Sequence, residues 1–314
     1  MVNQDRLLHR ARLGFLLLSL LGDAFVLLAN DARMLVLVSL PAYYSWTAQI
    51  GGKWVQVEPL LPDNADPHHF QFRPRDLQRV RRADLILLNG AGLEDWLKPA
   101  LRQQAPDSEG KIVEISAGYP RAQWIFDDAE SEGNETSSHP PDPSGFPNPH
   151  FWLDPVFASF AVSNILQILQ RAAPAHADSF GTNASVYLDR LRKLDADFIA
   201  FRKPLKSPAL VTVHPAFPYL CRRYQLSLIG ALEVVPGVEP SPKHLSRLIR
   251  EIRTHRVGTL FVEPHSGSRL AEQLASDLKL STDELDTMET GAWSANAYED
   301  GMRRNLCALS RSLH

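Results

Sequence analysis

The chain has very few cysteines, and this limits the chemistry available to it. Only two, Cys221 and Cys307, occur among its 314 residues. Two cysteines are too few for a disulfide-rich scaffold or for a zinc site built from four thiolates. A single disulfide between them and two buried thiols are both compatible with the sequence.

An excess of positive charge is also absent. The formal net charge is −3, with 22% charged and 44% hydrophobic residues. This is the balance of an ordinary globular protein, without the basic surface that binds nucleic acids. We therefore expect no nucleic-acid partner. The length is sufficient for two compact domains or for one large domain.

Long hydrophobic runs are missing except near the N-terminus. Basic residues there precede an apolar run from Leu13 to Ala29, which small residues close. This pattern predicts a secretory signal peptide over residues 1–32. Asp23 disfavours an uncleaved membrane anchor, because a carboxylate in hydrocarbon costs several kcal/mol. Since no cysteine lies near the end of the run, we expect an exported, soluble, periplasmic protein that is not a lipoprotein.

Short apolar segments alternate with helical patterns along the rest of the chain. Strand-like runs such as MLVLVSL and DLILLN are separated by amphipathic segments such as RPRDLQRVRRA. Strands that alternate with helices predict parallel βαβ units. The expected fold class is α/β, with two Rossmann-like lobes whose parallel sheets are joined by a long rigid helix.

Changes in this pattern predict the domain boundaries. We expect an N-terminal α/β lobe over 33–178, a linking helix over 179–204 and a C-terminal α/β lobe over 205–314. Within the first lobe, residues 127–149 are acidic and rich in proline, serine and glycine, with almost no apolar residues. That composition is typical of a flexible loop.

Four polar residues lie where the predicted elements begin or end, and ligands of open α/β sheets bind at the carboxyl ends of the strands. Three are histidines and one is an aspartate: His68, His150, His214 and Asp286. Three imidazoles and one carboxylate suit zinc better than the all-oxygen sets preferred by magnesium or calcium. The sequence therefore predicts a zinc site.

Each candidate also has a purely structural interpretation. His214 could be a hydrogen-bonded core histidine, Asp286 could cap a loop, and His69 is expected at the surface. Motifs of other functions are incomplete: neither HExxH nor GxSxG occurs. The segment NGAGLED imitates a dinucleotide-binding turn, but Asp95 replaces its third glycine and would repel a pyrophosphate.

Several motifs together resemble one protein family. One long stretch resembles the N-terminal lobe of the zinc and manganese group of metal-binding solute-binding proteins, which serve bacterial ABC importers. This stretch is IGGKWVQVEPLLPDNADPHHFQFRPRDLQRVRRADLILLNGAGLEDWL. Four later segments match the same family in the same order: NPHFWLDP, VTVHPAFPYLCRRYQL, PGVEPSPKHLSRLIREIRTHRVGTLFVEP and LDTMETG. The resemblance spans almost the whole predicted mature chain.

The resemblance implies two lobes with one metal in the cleft between them, bound by His68, His150, His214 and Asp286. It also separates the histidine pair, because the first ligand of the family directly follows a proline, as His68 does and His69 does not. A histidine at the third position accompanies zinc in this family, whereas a carboxylate accompanies manganese or iron. His214 therefore implies Zn²⁺ as the transported ligand.

Three positions depart from the family pattern. Pro215 replaces the usual aspartate after the third ligand, and Pro218 replaces a glycine further on. Both prolines stiffen the turn and could displace His214. His265 replaces a common glutamine and could be an accessory ligand, although a surface role fits it better. His139 is the only histidine inside the acidic loop.

The expected function is that of a periplasmic, high-affinity zinc-binding protein that delivers the metal to an ABC permease in the inner membrane. We expect a monomer that is not an enzyme, because four protein donors leave no open position for a substrate. One alternative is the same kind of carrier for manganese or iron. Another is a secreted zinc-dependent hydrolase with Glu263 or Glu289 as its base. A metal-free binding protein for a small organic solute is the third.

Overall fold

The structure is a computed structural model that describes residues 33–63, 65–70, 73–126, 147–206, 208–233, 237–264 and 267–313. The predicted signal peptide, His139 and His265 lie outside these residues, as does most of the predicted acidic loop. The described residues from Met34 onward form one compact unit. Among the described residues, no helix combines the length and the hydrophobicity needed to cross a bilayer.

Four parallel strands form the sheet of the first lobe, in the spatial order β2-β1-β3-β4. The central strand β1 pairs with both neighbours, so that Val36 lies opposite Val57 and Leu85. These segments are short and apolar because strands of a parallel sheet are covered on both faces. Their bounds are Met34–Val38 (β1), Val55–Pro59 (β2), Leu85–Leu88 (β3) and Ile112–Glu114 (β4).

Four α-helices precede the linking helix among the described residues: Pro41–Gly51 (α1), Pro74–Arg82 (α2), Leu97–Gln104 (α3) and Pro155–Ala172 (α4). Three of them begin at a proline, which suits the first helical position because its missing N–H would have no helical partner there. Asp154 caps α4 by accepting a hydrogen bond from the backbone N–H of Val156 at 2.8 Å. This cap fixes the start of α4, a few residues after His150.

The second lobe repeats the topology of the first. Its strand order is β6-β5-β7-β8, again all parallel. The strands are Ala209–Thr212 (β5), Ser227–Ala231 (β6), Thr259–Val262 (β7) and Ser281–Glu284 (β8). The helices between them are Pro218–Tyr224 (α6), Pro242–Thr254 (α7) and Arg269–Leu278 (α8). Pro218, one of the departures from the family pattern, is thus the first residue of a helix.

A long helix, Ala177–Arg202 (α5), stands between the two sheets in the sequence and starts slightly before the predicted 179–204. Its buried face is lined by Phe180, Ala184, Tyr187, Leu191, Leu194 and Phe198. The last helix, Ala297–Ser312 (α9), packs against α1 and α5. The Tyr298 hydroxyl in α9 also donates to the Trp152 carbonyl at 2.9 Å. The end of the chain therefore contacts elements of the first half.

The two cysteines are free thiols in this structure. Cys221 is buried in α6, whereas Cys307 is exposed in α9. Neither alternative from the sequence therefore describes them, because they form no disulfide and only one of them is buried. Burial of Cys221 raises the pKa of its thiol far above the ordinary value.

Candidate metal centre

Three imidazoles and one carboxylate converge on a single point. His68, His150, His214 and Glu289 each offer one donor atom, and these atoms all lie within 4.8 Å of one another. Three of the side chains are buried, and that of His68 is 16% exposed. The cluster therefore meets solvent on the side of His68.

His68 lies in the loop between β2 and α2. Its backbone N–H donates to the Asp66 carboxylate at 2.8 Å, and the preceding Pro67 carbonyl accepts from the indole N–H of Trp96 at 2.8 Å. These two bonds hold the loop so that the Nε2 of His68 lies 2.9 Å from the Oε1 of Glu289. The neighbouring His69 is exposed and does not belong to the cluster.

Asn148 fixes the orientation of His150. Its Nδ2 donates to the Pro215 carbonyl at 3.0 Å, which turns its Oδ1 towards His150. That oxygen accepts from the His150 backbone N–H at 3.1 Å and from the ring Nδ1–H at 2.8 Å. With its proton on Nδ1, a neutral imidazole presents a lone pair at Nε2. This atom lies 3.0 Å from the Glu289 Oε1, which is another lone-pair donor. Two such atoms at this distance create a position for a cation.

His214 lies just beyond β5, where the Thr212 hydroxyl donates to its carbonyl at 2.7 Å. Its Nε2 is 3.1 Å from the Nε2 of His150, and its Nδ1 is 3.1 Å from the Oε1 of Glu263. A carboxylate at the outer nitrogen holds the ring with the other nitrogen towards the cluster. Pro215 does not remove His214 from the cluster, and its carbonyl supports Asn148 instead.

The carboxylate of the cluster is that of Glu289, where the sequence led us to expect Asp286. The Asp286 carboxylate binds the Arg304 guanidinium at 2.8 Å and accepts from the Met288 backbone N–H at 2.8 Å. Its own backbone N–H donates to the Asn305 side chain at 2.7 Å. One carboxylate oxygen is therefore bound by Arg304 of α9 and the other by the Met288 N–H of its own turn, and Asp286 does not belong to the cluster.

A tight turn explains why the later carboxylate reaches the cluster. The bond from the Met288 N–H to the Asp286 side chain is typical of an Asx turn, and Met288 adopts a φ of 55°. The Trp152 indole N–H donates to the Thr287 carbonyl at 2.7 Å, which ties the turn to the segment beside His150. From the sequence, Glu289 was expected only as a possible base of a hydrolase. The available signal was a turn-forming aspartate followed closely by a second carboxylate.

The charges of the cluster follow from burial and from mutual contact. Burial lowers the pKa of His150, and the nearby Glu289 carboxylate raises it by a smaller amount, so that the pKa falls to about 4. Burial would also lower the pKa of His214, but the carboxylates of Glu289 and Glu263 outweigh it and raise the pKa to about 9. Burial would raise the pKa of Glu289, yet His214 and His150 hold it well below its ordinary value. Near neutral pH the cluster thus contains an anionic glutamate, a neutral His150 and a protonated His214.

The donor set fits a tetrahedral ion. Three of the distances between donor atoms are 2.9, 3.0 and 3.1 Å, and all of them are within 4.8 Å. The three shorter ones are close to the roughly 3.3 Å edge of a tetrahedron whose bonds are about 2.0 Å long. Three imidazole nitrogens and one carboxylate oxygen are typical ligands of zinc. Magnesium and calcium prefer oxygen ligands in larger number.

Comparison with known proteins identifies the family. The family model described as "ZnuA: Zinc-uptake complex component A periplasmic" matches residues 36–312. The chain belongs to this family. The ZnuA family description names a component of an uptake complex and no enzymatic reaction. The resemblance read from the motifs is thereby confirmed.

Individual relatives of this ZnuA-family chain include two curated proteins. The chain is 27% identical over 306 residues to the high-affinity zinc uptake system protein ZnuA of Bacillus subtilis, covering 95% of this chain and 94% of that protein. It is 25% identical over 288 residues to the zinc-binding protein AdcA of Streptococcus pyogenes, covering 89% of this chain. The match spans only 56% of the length of AdcA.

Solved structures agree with the fold. The solute-binding protein FpvC from Pseudomonas aeruginosa, solved in complex with Mn²⁺, superimposes with a TM-score of 0.75 at 28% identity. The match covers 90% of this chain and 98% of FpvC. The expected fold of two parallel-sheet α/β lobes and a long helix is confirmed.

Proposed function

We propose that this ZnuA-family protein binds one Zn²⁺ and delivers it to the permease of an ABC importer. The ligands are the Nε2 atoms of the three histidines and the carboxylate of Glu289: His68, His150, His214 and Glu289. The observation that supports this most strongly is the lone pair of His150, which Asn148 directs at the Glu289 carboxylate. The names of B. subtilis ZnuA and of AdcA, which both refer to zinc, support the choice of metal.

The proposed place of action is the periplasm, which the family description names. The signal-peptide pattern over residues 1–32 supports the same location. The proposed partner is a permease in the inner membrane, which receives zinc when the two lobes separate and the ligands of one lobe release it.

The contacts of the two candidate bases favour a carrier over a hydrolase. Glu289 is buried within the cluster, where its Oε1 faces both His68 and His150. The Glu263 carboxylate faces the outer nitrogen of His214. A hydrolytic site needs an open position on the metal for water and a base that is free to accept its proton. Four protein donors fill a tetrahedron, which suits binding and release.

Manganese is the competing cargo, because the similar FpvC was solved with Mn²⁺. A site of three imidazoles and one carboxylate favours zinc, which binds nitrogen ligands well, whereas manganese prefers ligand sets rich in oxygen. We therefore propose zinc as the preferred metal.

The adjacent histidines provide a matched test of this proposal. We expect the wild-type chain to bind about one zinc, and His68→Ala to lower the affinity by at least about 100-fold, because a donor atom is lost. His69→Ala should leave the affinity within about threefold of wild type, because an exposed side chain outside the cluster has little effect. Competition with a fluorescent chelator measures the zinc affinity of the wild type and of both variants. A wild-type chain that binds no zinc after reloading would refute the proposal, and equal losses in both variants would refute the assignment of His68.

Zinc binding near neutral pH is expected to release about one proton from His214. With a pKa raised from 6.5 to about 9, this imidazole is protonated in the metal-free protein. Protonated His214 therefore stabilises the metal-free folded protein. This stabilisation is complete below the pKa of the imidazole in the unfolded chain and is lost as the pH rises through about 9. Zinc needs the lone pair at Nε2 and must displace this proton.

Titration calorimetry in two buffers of different ionisation enthalpy counts the protons released. We expect the number released by His214 to fall towards zero above a pH of about 9, and the affinity to rise about tenfold per pH unit below that value. Zinc binding near neutral pH without any proton release would contradict the assignment of His214.

A further inference from the structure

Tyr219, in helix α6 of the second lobe, joins that lobe to the segment that precedes His150. Its hydroxyl accepts from the Ile125 backbone N–H at 2.9 Å and donates to the Asn148 carbonyl at 3.0 Å. The Ile125 carbonyl, at 3.3 Å, is a longer alternative acceptor. The ring of Tyr219 packs on that of Phe151, with the two ring centroids 4.7 Å apart. The side chain therefore contacts the residues on both sides of the proposed ligand His150 along the chain.

The contacts of Tyr219 fall where two chain segments pair. The Asn148 N–H donates to the Ile125 carbonyl at 2.8 Å, and Phe126 forms an isolated antiparallel bridge with Pro147. One buried hydroxyl thus fixes both segments against α6. A second bond from α6, between the Arg222 guanidinium and the Gln123 carbonyl at 2.6 Å, strengthens the same junction.

Asn148 connects this junction to the metal centre. Tyr219 holds its main chain, while its side chain bridges the Pro215 carbonyl and the Nδ1 of His150. Because one side-chain amide must reach both partners, its main chain has to stay in a fixed position. A shift would break the bond to the imidazole, which would then be free to exchange its tautomer and to rotate.

We propose that Tyr219 is a positioning residue for the bound metal. Its hydroxyl holds Asn148 so that Asn148 orients His150 and directs the Nε2 lone pair at the Glu289 carboxylate. This inference rests on the proposed function, in which His150 is a zinc ligand. Since Tyr219 belongs to the second lobe and His150 to the first half of the chain, the hydroxyl also couples contact between the lobes to retention of the metal.

The experiment compares two tyrosines of the same helix. Tyr219→Phe removes the hydroxyl but keeps the ring on Phe151. The matched control is Tyr224→Phe, because Tyr224 is equally buried in α6 and its hydroxyl donates to the Asp195 carboxylate at 2.9 Å, outside the junction. Transfer of zinc from the loaded full-length proteins to an excess of chelator measures the dissociation rate.

We expect zinc to leave Tyr219→Phe about 3- to 10-fold faster than wild type, because the hydroxyl's bond to the Asn148 carbonyl no longer supports the bound state. Tyr224→Phe should match wild type within about twofold, although it loses a buried bond of its own. Equal dissociation rates in Tyr219→Phe and wild type would overturn the inference.

A double-mutant cycle tests the route through Asn148. In an Asn148→Ala background, Tyr219→Phe should cause no further increase in the dissociation rate, because its effect depends on that side chain. Independent, multiplicative effects of the two substitutions would show that Tyr219 does not act through Asn148, and would overturn this part of the inference.

Hydrogen exchange in the metal-free protein provides a readout that does not depend on zinc. The backbone N–H groups of Asn148 and His150 are both hydrogen-bonded at the junction, so we expect them to exchange faster in Tyr219→Phe and to remain protected in Tyr224→Phe. Unchanged exchange in Tyr219→Phe would overturn the positioning role. If the wild-type chain bound no zinc, the proposed function would fail while this exchange result would still decide how Tyr219 acts.

Discussion

Replacing Glu289 by glutamine is expected to lower the zinc affinity by about 100-fold or more. Binding of structural zinc is worth roughly 10–16 kcal/mol, so an equal share for each of four ligands is about 2.5–4 kcal/mol, or on the order of 100- to 1,000-fold. Glutamine keeps the shape of the side chain but removes the carboxylate whose oxygen faces both His68 and His150. Titration with zinc in the presence of a competing chelator measures the change.

Asp286→Asn is the matched control for Glu289→Gln, because it removes a carboxylate from the same segment. Asparagine retains the acceptor for the Met288 N–H and loses only the pairing with Arg304, whose side chain is 63% exposed. Exposed ion pairs contribute little, so the zinc affinity should stay within about threefold of wild type. If Asp286→Asn lost the metal and Glu289→Gln retained it, the ligand read from the sequence would be right and the one read from the structure wrong.

Replacing His150 by alanine is expected to have an equally large effect, again on the order of 100-fold or more in zinc affinity. This imidazole is the most enclosed donor, with 2% of its surface exposed. Its pKa of about 4 leaves it neutral and ready to bind metal at any pH near neutrality. The substitution also leaves the Oδ1 of Asn148 without its ring partner, so the cluster loses both a ligand and its support.

His244→Ala separates the loss of a ligand from the loss of a buried histidine. His244 is 9% exposed in α7, and its ring nitrogen lies 2.8 Å from the Ala231 carbonyl, outside the cluster. We expect both variants to melt at a lower temperature, because each leaves a cavity and a polar group without its partner. Only His150→Ala should lose zinc. Comparable losses of zinc in the two variants would mean that His150 acts only through folding.

The sequence was sufficient for the fold and for three members of the cluster. Alternation of short apolar runs with helical patterns predicted both sheets, since parallel strands need a crossover helix between them. His68, His150 and His214 were found because each lies beside a predicted element and in a motif of the family. The structure brings all three together.

The fourth member could not be read from the sequence, because it depends on contacts across the fold. Asp286 and Glu289 are both acidic residues after the last strand, and their order along the chain does not decide which one faces the cluster. The choice is made by Arg304 and Asn305 of α9, which bind Asp286, and by Trp152, which anchors the turn. Each of these contacts joins residues that are distant in sequence or belong to a helix whose packing the sequence did not predict.

The role of Pro215 could not be predicted from the sequence either. A proline after the third histidine suggested a displaced ligand, yet its carbonyl accepts the bond that orients Asn148. Any residue offers a carbonyl there, so side-chain identity carried no information about this contact. Local conformation decides it, and that conformation depends on the segment around His150.

In the proposed site, one zinc ion is bound by His68, His150, His214 and Glu289. A crystal structure of the zinc-loaded protein, with anomalous diffraction recorded on both sides of the zinc absorption edge, tests it directly. We predict a single strong peak about 2.0–2.2 Å from the Nε2 atoms of the three histidines and from a Glu289 carboxylate oxygen, with Asp286 still paired to Arg304. A peak bonded to Asp286 in place of Glu289, or no peak among these four residues in a protein that contains zinc, would contradict this ligand assignment.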